Sequence, residues 1–448
     1  MQDFKKKNMK MNGMQVLALG FLAIILLGAL ILSLPISSAN GEVTSFIDSL
    51  FTSTSAVCVT GLVTVDTGTH WNLFGQIVIM LLIEVGGLGF MSFTTLIAII
   101  LGKKITLRDR LALQNAMNTF DIHGIVKMVR YILIFTISVQ LVGAALFATQ
   151  FIPEYGPLRG AFYGIFHSIS AFCNAGFDVF GNGVSMTTHN TNGVVILVAS
   201  ALIIIGGLGF TVWSELYSIK NIKRLSLHSK VVILMTFILV IGGATLMFLF
   251  EHKNPNTMAS LSLWDKITNS LFAATTPRTA GFNSIPTDGM TTAGQFLTIL
   301  LMFVGGSPGS TAGGLKTTTM GILLFTVICV IKGREDTEIF MKKISKDIVY
   351  KSLTLVFIGL SLIITVTMIL SYTEVGASFI ELLYETVSAF TTAGLTLGLT
   401  PNLSIIGKVL IIIMMYLGRV GPLTVVLALT REKRDNGIKY PEGKILIG

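Results

Sequence analysis

The sequence predicts an all-α polytopic membrane protein, with four span–short-helix–span repeats arranged pseudo-fourfold around one central pore. Three observations carry this. First, the 448 residues have a mean hydropathy of +0.78 and only 12% charged residues, about half of the ~25% usual in soluble domains. Long continuous apolar runs, without period-two alternation, indicate helical spans and not a β-barrel. Second, an octet of small and polar residues with glycine at its seventh place recurs four times: SAVCVTGL (55–62), SAFCNAGF (170–177), TTPRTAGF (275–282) and SAFTTAGL (388–395). Third, a glycine motif follows each octet at a similar distance: GGLGF at 86–90 and again at 206–210, GGSPG at 305–309, and GRVG at 418–421.

Taken in order, runs long enough to span lie near 14–34, 74–101, 131–151, 193–215, 231–250, 295–331, 352–371 and 405–429. Within each successive pair sits a shorter segment, at 44–57, 160–172, 263–276 and 378–390, and each runs into one octet. These segments fall short of the ~20 residues a crossing needs and suit re-entrant helices. The expected organisation is a tail at 1–13, repeat one at 14–102, a linker at 103–130, repeat two at 131–216, a linker at 217–230, repeat three at 231–331, a linker at 332–351, repeat four at 352–430 and a tail at 431–448.

Charge sets the orientation. Five segments (1–13, 102–130, 216–230, 332–351 and 430–448) hold 25 of the 32 Lys and Arg, which puts them on the cytoplasmic side by the positive-inside rule. Both termini are then cytoplasmic, and all four repeats share one orientation. That arrangement favours an axis along the membrane normal over inverted repeats. The net charge of +9 is spread over segments too short to fold into a basic domain, so no nucleic-acid partner is expected. KKKNMK ahead of the 14–34 run has the look of a secretory leader. That run exceeds the 7–15 residues of a leader core and is read as an uncleaved first span. Cys58, Cys173 and Cys329 show no metal-site spacing.

Non-helical backbone at membrane depth is tolerated only where it lines water or is buried in protein. Glycine reaches positive φ without steric cost, so four such segments can turn backbone carbonyls toward a common axis. A ring of carbonyl oxygens replaces the hydration shell of a cation, and each short helix aims the negative end of its dipole at the same place. The candidate filter residues are Val59, Thr60 and Gly61; Asn174, Ala175 and Gly176; Thr279, Ala280 and Gly281; and Thr392, Ala393 and Gly394. One octet alone reads as an ordinary tight turn. Four, each between a short helix and a span, read as a filter.

These octets, set in four span–pore-helix–span repeats from about residue 14 to 430, resemble the Trk/Ktr/HKT superfamily of cation transport proteins. Length and short termini are most similar to its KtrB branch, the membrane subunits of bacterial Ktr potassium uptake systems. The resemblance implies a potassium-channel-like tetramer fused into one chain, with K+ carried at the backbone carbonyls of the filter and no organic cofactor. In some members Na+ acts as an activating or coupling ion. It also implies a homodimer in the bilayer of the cell (plasma) membrane, controlled by a cytosolic KtrA-type ring of RCK domains that binds ATP and ADP. Many sodium-selective plant members carry serine in place of the first filter glycine, so Gly61 favours potassium.

Repeat three departs from the others. GGSPGSTAGGLKTTT (305–319) interrupts the run 295–331. Glycine costs about 1 and proline about 3 kcal/mol in a helix interior, so two half-helices joined by an intramembrane loop are expected. Gly305, Gly306, Ser307, Pro308, Gly309, Ser310, Thr311, Ala312, Gly313, Gly314 and Lys316 form a candidate gate, and the resemblance implies a gating loop here too. Arg419 stands in a span, where a charge costs at least ~2.5–3.5 kcal/mol. It is expected to face the ion path below the filter, with pairing to Glu84 as the alternative. Arg278 is expected to brace the filter from behind. Asp66, Asp178 and Asp288 lie in outer loops, either concentrating cations at the mouth or simply solvated.

A sodium- or proton-coupled cation symporter is the alternative class. It wants several buried carboxylates, and Glu84 is the acid that stands clearly inside a predicted span. An enzyme is not expected. A nucleophile such as Ser307 or Ser310 needs a neighbouring base, for which His167 is a poor choice, and the sequence has no GxxxxGK[ST] phosphate loop.

Overall fold

The computed structural model describes residues 13–89, 125–218 and 224–421. The expected tails, most of the 103–130 linker and the centre of the 217–230 linker lie outside these residues. Four helices among them are long and apolar enough to cross a membrane: Gln15–Ser33, Lys127–Tyr155, Leu227–Glu251 and Lys346–Thr373. Each is the outer helix of one repeat. Each is followed by a pore helix, at Phe46–Cys58, Pro157–Phe172, Leu263–Thr275 and Phe379–Thr391. An inner helix then returns, at Leu73–Leu88, Gly193–Leu208, Thr292–Phe303 and Ile405–Val420.

Local chemistry explains the helix starts. Each inner helix opens on a polar cap whose side chain accepts an amide of the first turn: Asn72 from Gly75, Asn192 from Val194 and Val195, Thr291 from Gly294, and Ser404 from Gly407. In repeats three and four a carboxylate at the outer helix end holds the cap in turn. Glu251 accepts from the Thr291 amide at 2.9 Å and its hydroxyl at 2.7 Å, and from Asn254 and Thr257 at 2.7 Å each. Glu374 accepts from the Ser404 amide at 2.9 Å and its hydroxyl at 2.5 Å. A hydrophobicity scan cannot show this pairing, because cap and acid are separated by the whole pore segment. Glu251→Ala leaves the buried Thr257 hydroxyl and the part-buried Thr291 amide and hydroxyl without this acceptor, and an orphaned buried group costs about 1–3 kcal/mol. A clear drop in the midpoint of thermal unfolding in detergent is expected, and an unchanged midpoint would remove this clamp from the stability of the fold.

Small residues bring the helices close. A Cβ at Gly28 would overlap Ser53 Oγ, and at Gly143 it would lie 2.5 Å from Ser168 Oγ. Those hydroxyls donate to the outer-helix carbonyls of Ile25 and Gln140, both at 2.7 Å. The pairs sit at matching places in repeats one and two. Repeat four closes on repeat one through Lys408 of its inner helix and Asp48 of the first pore helix, 2.7 Å apart.

Two features depart from the sequence expectation. The apolar runs of the inner spans in repeats one, two and four extend to residues 101, 215 and 429, of which 90–101 and 422–429 lie outside the described residues; each described inner helix ends at a glycine of positive φ, at Gly89 (83°), Gly209 (97°) and Gly421 (92°). In repeat two the chain resumes as Phe210–Ser218, bent by 92°. Close packing precedes each break. Gly86, Gly206 and Gly418, three residues earlier, lie so close to the pore-helix carbonyls of Val57, Phe172 and Phe390 that any Cβ would overlap them. The second departure is a two-stranded hairpin in the third linker, Glu338–Ile339 with Lys342–Lys343. It packs Ile339 near Val231 and Met235.

Candidate functional site

The four octets meet. In each, φ is positive at the first and third filter residues: Val59 (57°) and Gly61 (96°), Asn174 (59°) and Gly176 (69°), Thr279 (68°) and Gly281 (77°), Thr392 (55°) and Gly394 (81°). The residue between them keeps an ordinary φ. Alternating the sign of φ lets successive carbonyls turn to one side of the strand. Positive φ is an outlier for the β-branched Val59, Thr279 and Thr392, and the surroundings hold it in place. The amides of Thr60, Ala175 and Ala393 donate to the carbonyls of Ser55, Ser170 and Ser388, each at 2.8 Å. Repeat three makes a tighter turn around Pro277, with the Ala280 amide on Thr276 O at 2.9 Å. Side-chain bonds add the Gly61 amide on Ser55 Oγ at 3.0 Å, the Ser170 hydroxyl on Phe177 O at 2.7 Å and the Thr276 hydroxyl on Phe282 O at 2.5 Å.

The glycines face one another around the axis. A Cβ on Gly61 would lie 2.6 Å from Ala175 O, on Gly176 2.7 Å from Ala280 O, and on Gly281 3.1 Å from Ala393 O. On Gly394 it would overlap Thr60 O. Each glycine thus meets the central carbonyl of the next repeat, and the ring closes from four back to one. Both the φ values and the lack of room demand glycine. The hydroxyls of Thr60, Thr279 and Thr392 are buried there without a hydrogen-bond partner among the described residues. On the outer side Gly281 and Gly394 open into a cavity of about 400 Å³ that Asp288 also lines. Asp66 is not among its lining residues: it caps the Thr67–His70 turn and accepts the Gly183 amide at 2.8 Å, joining the outer loops of repeats one and two. Asp178 accepts the Phe180 amide at 3.2 Å.

Directly against the other end of this ring lies the repeat-three loop, between Phe303 and Thr317. It closes at its neck, with the Gly305 amide on Leu315 O at 2.9 Å and the Thr317 amide on Gly306 O at 3.1 Å. It is zipped to the broken inner helix of repeat two: Ser307 N on Gly207 O at 3.0 Å, Thr311 N on Gly206 O at 3.3 Å, and Phe210 N on Gly309 O at 2.9 Å. Pro308 O crowds Gly209, where a Cβ would lie 2.7 Å away. Thr311 reaches the filter itself, donating to Phe172 O at 3.1 Å and to Asn174 Oδ1 at 3.0 Å. A Cβ on Gly313 would overlap Thr392 Oγ1, and on Gly314 it would sit 2.8 Å from Thr391 O. Ser310 donates to Ser307 O at 2.6 Å, and Ser307 and Thr317 share a hydroxyl contact at 2.9 Å. Lys316 turns inward and donates to Ala312 O at 2.8 Å.

Arg419 ties three repeats together. Its guanidinium donates to Thr311 O in the loop and to Gly86 O, with Gly87 O at 3.3 Å. It does not bond Glu84, which accepts instead from Gln140 at 2.8 Å and from the Cys173 thiol at 3.4 Å. The alternative of an Arg419–Glu84 pair therefore fails. Arg278 points away from the axis, to Thr236 of its own outer helix at 3.3 Å, while its carbonyl accepts from Asn174 Nδ2 at 3.3 Å. Cys58 and Cys173 are both fully buried at the ends of their pore helices. Glu84, the acid inside a predicted span, is part-buried, and the buried acids Glu251, Glu374 and Glu385 lie outside the predicted long spans. They stand at helix ends and on a pore helix, where an apolar run gives no sign that an acid will be enclosed.

Crossing helices, re-entrant pore helices and a ring of four left-handed glycines define a multi-pass membrane protein of the pore-loop kind. The family described as TrkH, cation transport protein, matches residues 4–437, and the chain belongs to it. It is 46% identical over 451 residues to the potassium/sodium uptake protein NtpJ of Enterococcus hirae, covering 99% of both chains. It is 42% identical over 434 residues to the Ktr system potassium uptake protein B of Bacillus subtilis, covering 97% of this chain and 96% of that one. The crystal structure of the potassium transporter TrkH from Vibrio parahaemolyticus superposes with a TM-score of 0.74 at 17% identity, over 96% of this chain and 87% of that one, and so shares the fold. The family is one of transporters and not of enzymes.

Proposed function

We propose that this chain takes up potassium ions across the plasma membrane, with both termini cytoplasmic. The ions pass the ring of Gly61, Gly176, Gly281 and Gly394 and are gated by the loop 305–316 together with Arg419. The observation that carries this reading is the closed ring itself, in which each filter glycine abuts a carbonyl of the next repeat. Carbonyl rings of this kind strip and replace the hydration shell of a cation. The names of the Enterococcus and Bacillus relatives, both of potassium uptake, support the choice of ion. The first name also mentions sodium, which supports testing Na+ as a second permeant, activating or coupling ion. The position of the loop against the filter, and the two cations Lys316 and Arg419 bonded to its carbonyls, support a gate that opposes cation passage. A name that designates one protein of a Ktr system supports control by a separate cytosolic nucleotide-binding ring acting on a homodimer of this chain.

The test is ion flux into proteoliposomes holding the purified chain, with potassium and sodium gradients compared. Potassium flux well above sodium flux is expected, insensitive to an imposed proton gradient. Flux that follows the sodium or proton gradient and not the potassium gradient would replace this reading with coupled symport.

A further inference from the structure

Glu385 lies on the pore helix of repeat four and is fully buried. It stands nine residues before Gly394; at the same distance from the other filter glycines stand Thr52, His167 and Phe272. An acid behind the filter is therefore peculiar to one repeat, and packing alone does not call for it. Burying a carboxylate costs several kcal/mol unless its oxygens are satisfied, and among the described residues no Lys or Arg pairs with this one.

Its two oxygens are used in another way. One accepts the Thr396 hydroxyl at 2.7 Å and the other accepts the Thr400 hydroxyl. Both threonines belong to the segment that leaves the filter. The Gly398 amide donates to Thr396 Oγ1 at 3.0 Å, which leaves the hydroxyl proton of Thr396 directed at Glu385. The Thr396 carbonyl accepts from Thr287 Oγ1 at 2.6 Å, across to the outer segment of repeat three. Thr287, Gly394, Thr396 and Gly398 all line the outer cavity. A continuous set of hydrogen bonds thus runs from a buried acid behind the filter to the backbone at its mouth.

We infer that Glu385 is a positioning residue for ion selection. Through Thr396 and Thr400 it anchors the outer end of the repeat-four filter and so fixes where the Gly394 backbone stands in the ring. The inference rests on the four-glycine filter proposed above. Its test measures the ratio of potassium to sodium flux in proteoliposomes for Glu385→Gln, Thr396→Val, the double variant and, as a control on the filter, Gly394→Ser. Glu385→Gln and Thr396→Val are each expected to lower the ratio by about threefold or more, the scale of one lost buried hydrogen bond. The double variant is expected to fall no lower than the worse single one, because both changes break the same link. If Gly394→Ser alters the ratio while Glu385→Gln and Thr396→Val leave it unchanged, Glu385 is merely structural and the inference is overturned. If Gly394→Ser also leaves it unchanged, the filter reading itself fails. Thr396→Val keeps shape and size, so the inference still stands or falls on that variant if Glu385→Gln alone fails to fold.

Discussion

Gly61→Ser is expected to cut potassium over sodium selectivity by at least about tenfold, since forcing a side chain into left-handed backbone costs ~1–2 kcal/mol before any collision and ~1.4 kcal/mol is a factor of ten. The collision adds to this. Gly61 sits at a φ of 96°, and its Cβ would stand 2.6 Å from Ala175 O and 3.0 Å from Gly176 Cα. Neither neighbour is a flexible side-chain tip, so the ring must open or shift. A widened ring fits a dehydrated cation less closely at every oxygen, which is why selectivity should fall further than total flux. Parallel potassium and sodium influx measurements in proteoliposomes read this directly. A wild-type ratio in the variant would place ion selection elsewhere in the chain.

Excision of residues 309–314 is expected to raise potassium flux by at least about tenfold, the equivalent of ~1.4 kcal/mol off the barrier. It should also make flux independent of any cytosolic activator. The neck of the loop is closed by the Gly305–Leu315 and Gly306–Thr317 hydrogen bonds, both of which lie outside the excised segment. The excised segment includes Thr311, whose carbonyl receives Arg419 and whose hydroxyl reaches Asn174. Arg419→Gln should give a smaller rise in the same direction, because it removes the charge and the bond to Thr311 but leaves the loop zipped to Gly206 and Gly207. Flux unchanged in both variants would sink the gate.

The loop differs from the sequence expectation in one respect that bears on these results. A run of glycines suggests a flexible connector, yet the structure hydrogen-bonds its residues Ser307, Gly309 and Thr311 to Gly206, Gly207 and Phe210 of repeat two. Its glycines are there for close approach. Gly313 and Gly314 lie against Thr392 and Thr391 with no room for a side chain. The proposed gate is therefore a packed loop with specific contacts, and on that proposal opening it means breaking particular bonds.

Much of the fold is readable from composition and spacing. The pore helices fall within a few residues of the short apolar segments, because a helix too brief to cross must end at membrane depth and its end needs the small, glycine-bearing octet. The same holds for the four candidate filter glycines, which follow from the repeated octets and lie together. The recurrence of an inner-helix glycine after each filter glycine also has a local cause in three repeats: Gly86, Gly206 and Gly418 each pack on a carbonyl at the end of their own pore helix.

What the sequence by itself determined is thus the repeat and the glycines of the ring, both properties of residues near one another in the chain. Only the tertiary structure decided the partners of the buried charges. Arg419 bonds Gly86 O across 333 residues and Thr311 O across 108, and Asp48 meets Lys408 across 360. It likewise decided the breaks at Gly89, Gly209 and Gly421, and it turned Glu385 toward threonines that follow the filter. The physical reason is common to all of them. A buried polar group must find its partner wherever the fold places one, and no local periodicity records which distant backbone will arrive.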